Sequence, residues 1–599
     1  MCGAGAEGLT AKKRTGRERA QRARDVAPLH GVFSYGIRTL FRCLEGMKIL
    51  IALYAANNSR YQFEPIFDGR SAFERSFDWA LSFSQEAQVL VLADSENEAK
   101  IRALSANGSA AKKCHITVQN DWSAAATLEE IAKHAKKNDC KTVLFALSSC
   151  PFYCTALTEY IVSHHTRYAC EYTFADGYAA GLAPSAIHAD SLVLAANLAR
   201  GKTEEIPITA NLFFDVIQSD INSFEVETVI SPEDVRMYRL NFSCISKQTL
   251  LACKALFDST LDETQKNAEK KIYKIDEYSA LEICQRAIKN ESVLRTVPSF
   301  YNIQISCYAQ SDVIYSPYWN DYYEKNGHYP NEAPQKNPDC FMNKDSFAKL
   351  IDEIAELSGE AVVSLSAWGE PLAHPDFCSF VQLVLAHEGL SLVVETDGLL
   401  LTEALLTECK KIVDDTNKSK TSKSKTGGEK RKNGHHAIYW IVALDAMTKA
   451  KYGTIHLAEE KAETNFAVAV NAFELLQKHF PASAYPQFTR MNENEDELES
   501  FYRSYKAKGN VLIQKYNWFS GRLVDRRPAD LSPLVRIPCW HRLRDLVVLA
   551  NGNVPNCREY SLSEEAGNAF TLGATETWNR SGQQGNLCKE CDEYYTFNF

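Results

Sequence analysis

Four cysteines near the C-terminal end of the sequence have the spacing of a metal site. They are Cys539, Cys557 and the pair Cys588 and Cys591, in which two residues separate the thiols. Thiolates at such intervals bind an iron–sulfur cluster or zinc. Spacing alone does not separate these two, and four free buried thiols are a third alternative. We predict one four-cysteine site that holds one 4Fe-4S cluster, with zinc as the alternative metal.

The segment between the first two cysteines predicts how one of them is positioned. Residues 546–550 form an apolar run, Asn551 and Gly552 follow, and a second short run leads to Cys557. An Asn-Gly pair between two such runs is typical of a hairpin turn. We therefore expect a β-hairpin that delivers Cys557 to the site.

Length, charge and composition limit the class of protein. A chain of 599 residues is too long for one hydrophobic core and predicts about three or four domains. Its net charge of −10 argues against nucleic-acid binding, because phosphate contacts need clustered lysine and arginine. Its apolar runs are too short to cross a membrane. Scattered cysteines, and no signal-peptide-like apolar core, predict a cytoplasmic protein with reduced thiols.

Two segments differ in composition from the rest. Residues 1–46 are basic and lack an apolar face, which predicts a disordered extension. A translation start at Met47 and a nucleic-acid-binding arm are the alternatives for this segment. Residues 416–435 are rich in lysine, serine and threonine, and they predict a solvated loop inserted into a domain.

Residues 47–257 alternate apolar strands with helical patterns, which predicts a mostly parallel α/β sheet with helices on both faces. The loop after the first strand contains Arg60, Glu64 and Pro65, and a later strand leads to Ser149. These stretches resemble the triphosphate loop and the metal-binding turn of sugar nucleotidyltransferases of the cytidylyltransferase type. That family has lysine in place of Glu64 and aspartate in place of Ser149.

Both departures weaken the binding of a polyphosphate and its metal ion. A carboxylate repels phosphate, and serine alone is a poor ligand for a hard cation. We expect the first domain to keep the fold as a scaffold or recognition surface. A nucleotidyltransferase acting on sugar substrates is the alternative.

A helical connector over residues 258–297 leads to a middle domain, residues 298–535. After a strand at 299–306 and a buried strand at 361–366 comes a turn made of Gly369, Glu370, Pro371 and Leu372. The order of elements and this turn resemble the radical S-adenosylmethionine (SAM) enzymes. The resemblance implies a partial (β/α) barrel whose site lies at the strand C-termini, with the turn holding the amino group of the methionine moiety. A turn in which glycine and proline only set the backbone is the alternative.

The cluster motif of that family is missing where the resemblance places it. Aligned on the strand at 299–306, its three cysteines fall at Ala309, Val313 and Ser316. Cys307 lies nearby, but a single thiol cannot hold a four-iron cluster. We therefore expect no reductive cleavage of SAM by the family's route, although SAM binding stays possible.

Residues 536–599 carry the four cysteines in a C-x12-G-x4-C frame followed by C-x2-C. The frame resembles the SPASM domain that follows many radical SAM enzymes and carries auxiliary iron–sulfur clusters. A full SPASM domain has seven cysteines, so four ligands imply one cluster here. The order of the three parts resembles the spiro-SPASM group of proteins.

The resemblances together predict an α/β protein of three folded parts: a nucleotidyltransferase-like sheet domain, a partial radical SAM-like barrel and a small cysteine-ligated domain. We expect an iron–sulfur protein, non-catalytic or atypical, that binds one 4Fe-4S cluster. Its partner is an unknown protein, peptide or sugar. An active SAM-dependent enzyme that modifies a peptide or sugar is the alternative.

Overall fold

The structure is a computed structural model that describes residues 46–596, apart from 57–59, 106–112, 203–205, 263–271, 419–430, 432 and 530–531. Residues 1–45 of the predicted basic extension and most of the predicted loop insertion therefore lie outside the described residues. Within the described part, the strands form two seven-stranded sheets. Among the described helices, none combines the length and apolar character needed to cross a bilayer.

The first sheet occupies the N-terminal half of the chain. Its strands are β1 (Ile49–Tyr54), β2 (Gln88–Ala93), β3 (Cys114–Val118), β4 (Thr142–Leu147), β5 (Tyr172–Asp176), β6 (Ser185–His188) and β7 (Val226–Ile230). They lie in the order β3-β2-β1-β4-β6-β5-β7, and all pairs are parallel except those that β6 makes. The order runs outward from β1 in both directions, which places crossover helices on both faces.

Helices cover this first sheet on its two faces. They are α1 (Ala72–Ser82), α2 (Glu98–Ser105), α3 (Ala124–Lys137), α4 (Thr155–Arg167), α5 (Ser191–Arg200), α6 (Leu212–Ile217), α7 (Lys247–Asp258), α8 (Ala280–Ile288) and α9 (Glu291–Leu294). All six residues of β1 are buried, with Ile49 and Ile51 in one core cluster and Leu50 in the other. Alternate side chains of a strand point to opposite faces, so each face has its own core.

The second sheet follows chain order except for its last strand. Its strands are β8 (Phe300–Ile303), β9 (Ala361–Ser364), β10 (Leu390–Thr396), β11 (Ile438–Ala443), β12 (Ala484–Arg490), β13 (Leu512–Lys515) and β14 (Asp545–Val548). Their order is β13-β12-β11-β10-β9-β8-β14, and every pair is parallel. Sequential parallel neighbours keep the helices on one face and leave the other facing inward, as in half of a (β/α) barrel.

Helices of this half pack on the outer face of the second sheet or cover its edges. They are α10 (Tyr318–Asn326), α11 (Ala333–Lys336), α12 (Lys344–Ser358), α13 (Phe377–Leu385), α14 (Glu403–Lys418), α15 (Lys449–Ile455), α16 (Ala462–His479), α17 (Leu498–Lys506), α18 (Trp540–Arg544), α19 (Ala569–Leu572) and α20 (Ala574–Arg580). Helix α12 begins at the N-cap Asn343, and its apolar residues Phe347, Leu350, Ile351 and Ile354 are buried. The predicted fold class, a mixed α/β protein with a half-barrel, is confirmed.

The C-terminal segment shares the second sheet. Strand β14 pairs in parallel with β8, with Leu546 opposite Tyr301. The predicted turn is present, since Gly552 N donates to Leu549 O over 2.8 Å. The two runs pair next to the turn, where Leu549 N donates to Asn553 O over 2.8 Å. The return run then bridges from Asn553 to Asn568, so the hairpin is confined to the turn.

Trp578 and Arg295 hold this segment against the end of the connector. The indole Nε1 of Trp578 donates to Thr296 O over 2.8 Å, and the guanidinium of Arg295 lies 3.6 Å from the Trp578 ring centroid. Arg295 Nε also donates to Arg542 O over 3.1 Å. Trp578 is buried in the core of the second sheet. The residues that follow it lead directly to the last two cysteines.

Trp578→Ala is therefore expected to lower the free energy of unfolding by about 3–5 kcal/mol, because it empties a buried volume and removes a hydrogen bond. Chemical denaturation followed by circular dichroism measures this loss. Trp319→Ala, at a half-buried position, is the matched control and should cost about 1 kcal/mol or less. Equal losses in the two variants would contradict the anchoring role of Trp578.

Candidate functional site

A cavity of about 220 Å³ opens at the carboxyl ends of the strands of the half-barrel. We call it the upper cleft. It is lined by the ends of β10 to β13 and by the loop after β8, and its walls include Ala309, Trp368, Glu370, Asp397, Gln487 and Phe519. Ligand sites of (β/α) barrels lie at this end of the strands.

The three positions where the radical SAM motif has cysteines all line the upper cleft. Ala309, Val313 and Ser316 contribute to its wall, and none of them carries a thiol. Cys307 is buried behind this loop, where it packs with Trp368. The structure thus places these positions at the cleft, and their side chains offer no thiolate there.

The predicted cofactor-binding turn contributes two of its four residues to the cleft wall. Gly369 and Glu370 line the cleft, while Pro371 and Leu372 are buried behind it. Gly369 has a φ of +79°, and a Cβ there would lie 2.4 Å from Ser306 O. Only glycine fits this position without backbone movement. SAM binding by this turn stays a prediction.

The protein's own donors hold the carboxyl group of Glu370. Its Oε1 accepts from Leu372 N over 3.0 Å and from Thr396 Oγ1 over 2.9 Å, and its Oε2 accepts from Asp397 N over 3.1 Å. Burial raises the pKa of Glu370 well above its usual value, and the nearby Asp397 acts in the same direction. The side chain therefore ties the turn to the end of β10. This geometry favours a structural role for the carboxyl group of Glu370.

Further buried acidic groups make the cleft an unusual environment for charge. Burial raises the pKa of Asp312 to about 6, and it also raises the pKa of Glu395 and of Asp397. Sequence reasoning did not single out Asp312 or Glu395. Side chains alternate between the two faces of β10, so Glu395 lies on the same face as the inward Val393. This alternation was the sequence signal that could have placed Glu395 on the inner face.

A buried histidine and aspartate form a pair beside the cleft. His456 Nε2 lies 3.2 Å from Asp445 Oδ2, and both residues are almost fully buried. Thr489 N donates to Asp445 Oδ1 over 2.6 Å, and His456 lines the cleft with its ring stacked on Tyr452. Sequence reasoning missed His456. The chain offers no local pattern that pairs residues eleven positions apart.

A second cavity, of about 330 Å³, lies next to the upper cleft and contains the predicted metal ligands in its wall. We call it the cysteine cavity. Its lining includes Cys539, Cys557, Cys588 and Cys591. The two cavities share wall residues, among them Glu395, Gln487, Lys515 and Arg558.

Separate elements bring the four cysteines to this cavity. Cys539 is the N-cap of α18, directly before β14, and Cys557 precedes the short helix Arg558–Tyr560. Cys588 lies in the short helix Asn586–Lys589. Arg536 Nη2 donates to Cys591 O over 2.9 Å and also to Cys588 O, which fixes the backbone of the C-x-x-C pair.

The thiols lie in a buried environment that favours their neutral form. Burial raises the pKa of Cys539 to about 11 and of Cys591 to about 12, and it raises the pKa of Cys557 well above the usual value. Within the described part of the chain, no group of three or more histidine, cysteine, aspartate or glutamate side chains could hold a metal ion. The four cysteines therefore surround a cavity, and their side chains do not close on a single point.

Cationic side chains also line the cysteine cavity. Arg536, Arg542 and Arg558 contribute to its wall. Lys515 Nζ contacts Asp592 Oδ2 over 2.9 Å at the same wall. These cations can balance negative charge that thiolates would bring to the cavity.

Buried side chains hydrogen-bond to one another at the crevice of the first sheet. Beyond β1 and β4, where a doubly wound sheet binds its ligands, Gln62 is fully buried and donates to Ala55 O over 3.3 Å. Ser148 Oγ donates to Gln62 Oε1. Ser149 is buried and Glu64 is exposed. The nucleotidyltransferase alternative stays a prediction.

No protein-family model matches this chain. An uncharacterized protein of Treponema pallidum (strain Nichols) is similar to it in sequence. The two are 36% identical over 411 residues, which cover 65% of this chain and 99% of that protein.

Solved structures of two kinds are among those similar to this chain. A cytidylyltransferase from Leptospira borgpetersenii is 15% identical, with a TM-score of 0.32, covering 41% of this chain and 96% of its own. Native anSMEcpe with bound AdoMet is 13% identical, with a TM-score of 0.32, covering 49% of this chain and 82% of its own. BtrN in complex with AdoMet and 2-DOIA is 15% identical, with a TM-score of 0.27, covering 50% of this chain and 89% of its own.

The raised pKa of Asp312 predicts a specific pH dependence of stability. A carboxyl group that binds its proton more tightly when folded stabilises the protein below its unfolded pKa of 3.8, and this stabilisation is lost as the pH rises to about 6. Relative to Asp312→Asn, the wild type should lose about 1–3 kcal/mol of unfolding free energy over this range. Denaturant unfolding at a series of pH values measures the difference. The exposed Asp339→Asn is the control, and an equal effect there would refute the assignment.

Proposed function

We propose that this chain is an iron–sulfur protein with one 4Fe-4S cluster in the cysteine cavity. The chain belongs to the same family as the uncharacterized protein of Treponema pallidum. The observation that carries the proposal is that Cys539, Cys557, Cys588 and Cys591 all line one cavity of about 330 Å³. Four cysteine thiolates are the usual ligand set of such a cluster. A cluster held there would supply one-electron transfer.

The size of the cavity suits a cluster. A single zinc ion needs four ligands converging on one point, about 2.3 Å from each sulfur. The cysteine cavity, of about 330 Å³ and lined by all four cysteines, has room for a group larger than one ion.

The surroundings of the thiols determine how they can bind such a ligand. At least three of the four thiols must release protons on loading, because burial raises the pKa of Cys539, Cys557 and Cys591. Arg536 holds the carbonyl groups of Cys588 and Cys591 and lies beside the resulting negative charge. Loading of the cavity should therefore be more complete at higher pH.

We further infer that the half-barrel does not generate radicals by the family's usual route. Ala309, Val313 and Ser316 line the upper cleft and provide no thiolate for a second cluster. The free cysteines of the described chain suit a reducing compartment such as the cytoplasm. Electron transfer to a protein, peptide or sugar partner outside this chain is then the role that the site suits best. Membership of the spiro-SPASM group stays a prediction.

Iron and sulfide analysis of protein purified without oxygen tests the cluster. We expect about four irons and four sulfides per chain. The Cys557→Ser variant should lose most of them, because one of the four ligands is gone. Cys114→Ser removes a half-buried thiol from β3 and should keep the wild-type content. One zinc per chain, or a stably folded wild type without metal, would contradict the proposal.

A small-molecule ligand in the upper cleft is a second candidate function, and SAM is the ligand that the radical SAM resemblance implies. Trp368 Nε1 and Gln487 Oε1 are buried in residues of the cleft wall and have no hydrogen-bond partner within the described protein. Buried polar atoms without a partner are costly, and a bound ligand can satisfy them. One group is a donor and the other an acceptor, as a polar organic ligand requires.

Isothermal titration with SAM tests this candidate. Trp368→Phe keeps an aromatic ring and removes the N–H donor, so affinity should fall about 5- to 10-fold. Trp518→Phe removes an unpartnered indole N–H outside the cleft wall and is the matched control, with affinity unchanged. No heat of binding in the wild type, or equal losses in both variants, would rule out SAM as the ligand of the cleft.

A further inference from the structure

Two buried cysteines lie directly opposite each other behind the upper cleft. Ser306 and Phe341 form an antiparallel bridge, so the next pair along the two segments is Cys307 and Cys340. Cys307 N donates to Cys340 O over 2.8 Å. Cα atoms of directly opposed residues in antiparallel segments lie about 4.5–5.5 Å apart. This separation is within the range of about 4.4–6.8 Å that a disulfide spans.

The surroundings of the pair activate one of the two thiols. Asn337 Nδ2 donates to the Cys307 sulfur over 3.7 Å, and the pKa of Cys307 is lowered, mainly by interaction with the Cys340 side chain. Tyr322 Oη lies 3.5 Å from the same sulfur. Asn337 Nδ2 donates to Tyr322 Oη over 2.9 Å, which leaves the tyrosine proton free to point at Cys307. A thiol whose charged form is favoured is the better nucleophile.

The pair is one layer of side chains away from the upper cleft. Tyr318 lines the cleft, and its Oη donates to Cys307 O over 2.7 Å. The segment also supports the G-E-P-L turn, because Glu370 N donates to Tyr308 O over 2.6 Å. Cys307 and Cys340 are 4% and 1% exposed, so only a small oxidant can reach them.

We propose that Cys307 and Cys340 are a redox-modification site that forms a reversible disulfide when the protein meets a peroxide. The Cys307 thiolate attacks the peroxide, the O–O bond breaks, and a sulfenic acid forms, while the proton that the thiol gave up leaves with the other oxygen as water. The Cys340 sulfur then attacks the sulfur of Cys307, its proton leaves with the hydroxyl group as a second water, and the S–S bond forms. Two thiols are oxidised and one hydrogen peroxide is reduced to two waters.

The disulfide encloses the loop that lines the cleft and should stabilise the folded protein. It closes the chain between Cys307 and Cys340, which contains the cleft-lining loop after Tyr308 together with α10 and α11. Closing such a loop lowers the conformational entropy of the unfolded chain more than that of the folded chain. The oxidised protein should therefore melt at a higher temperature than the reduced protein. This site is independent of the proposed cluster, since none of its residues lines the cysteine cavity.

Peptide mapping tests the proposal on the full chain. The reduced protein is treated with a small excess of hydrogen peroxide, then unfolded in urea that contains N-ethylmaleimide to block its free thiols, and digested without reductant. Mass spectrometry should find a peptide pair that joins Cys307 to Cys340 and separates on treatment with dithiothreitol. Cys114→Ser, the matched control, should give the same linked pair.

Two variants separate the proposed chemistry from loss of folding. Cys340→Ser cannot form the bond, so dimedone present while the protein is unfolded after peroxide treatment should trap a sulfenic acid on Cys307. Tyr322→Phe keeps both cysteines and removes one donor to Cys307, so linkage should form several-fold more slowly. N-ethylmaleimide on both Cys307 and Cys340 after peroxide treatment of the wild type would overturn the proposal. An unchanged rate in Tyr322→Phe would overturn the assignment of Cys307 as the attacking thiol.

Discussion

The parallel pairing of β14 with β8 determines where the C-terminal cysteines lie. Cys539 comes six residues before β14, and the chain leaves β14 towards Cys557, so the registry of this one strand sets both positions. Trp578 and Arg295 then return the chain to the same side. Because β8 also leads into the loop of the upper cleft, one strand pair holds both cavities together.

Buried ionisable groups give the two cavities their chemical character. Burial raises the pKa of carboxyl groups in the upper cleft, such as Asp312, and of thiols in the cysteine cavity, such as Cys539. Both cavities therefore disfavour bare negative charge until a cation, a proton or a metal centre compensates it. The two cavities share wall residues, including Glu395 and Arg558, so a change of charge in one cavity alters the electrostatic potential in the other.

Sequence predicted those features that depend on local pattern. The buried β1 followed from apolar periodicity, and the half-barrel followed from element order and the family resemblance. Features that depend on distant partners were missed. The first run also paired with β8, and the return run bridged from Asn553 to Asn568. Neither His456 nor the opposition of Cys307 and Cys340 has a signal in the chain before folding joins them.

The central claim, one cluster in the cysteine cavity, is tested most directly by a crystal structure of protein prepared without oxygen. Anomalous diffraction data are collected on both sides of the iron and zinc absorption edges. The account predicts one compact iron peak between Cys539, Cys557, Cys588 and Cys591, with no zinc signal. A zinc peak at the centre of the four sulfurs, or an ordered cavity with no anomalous metal signal, would contradict it.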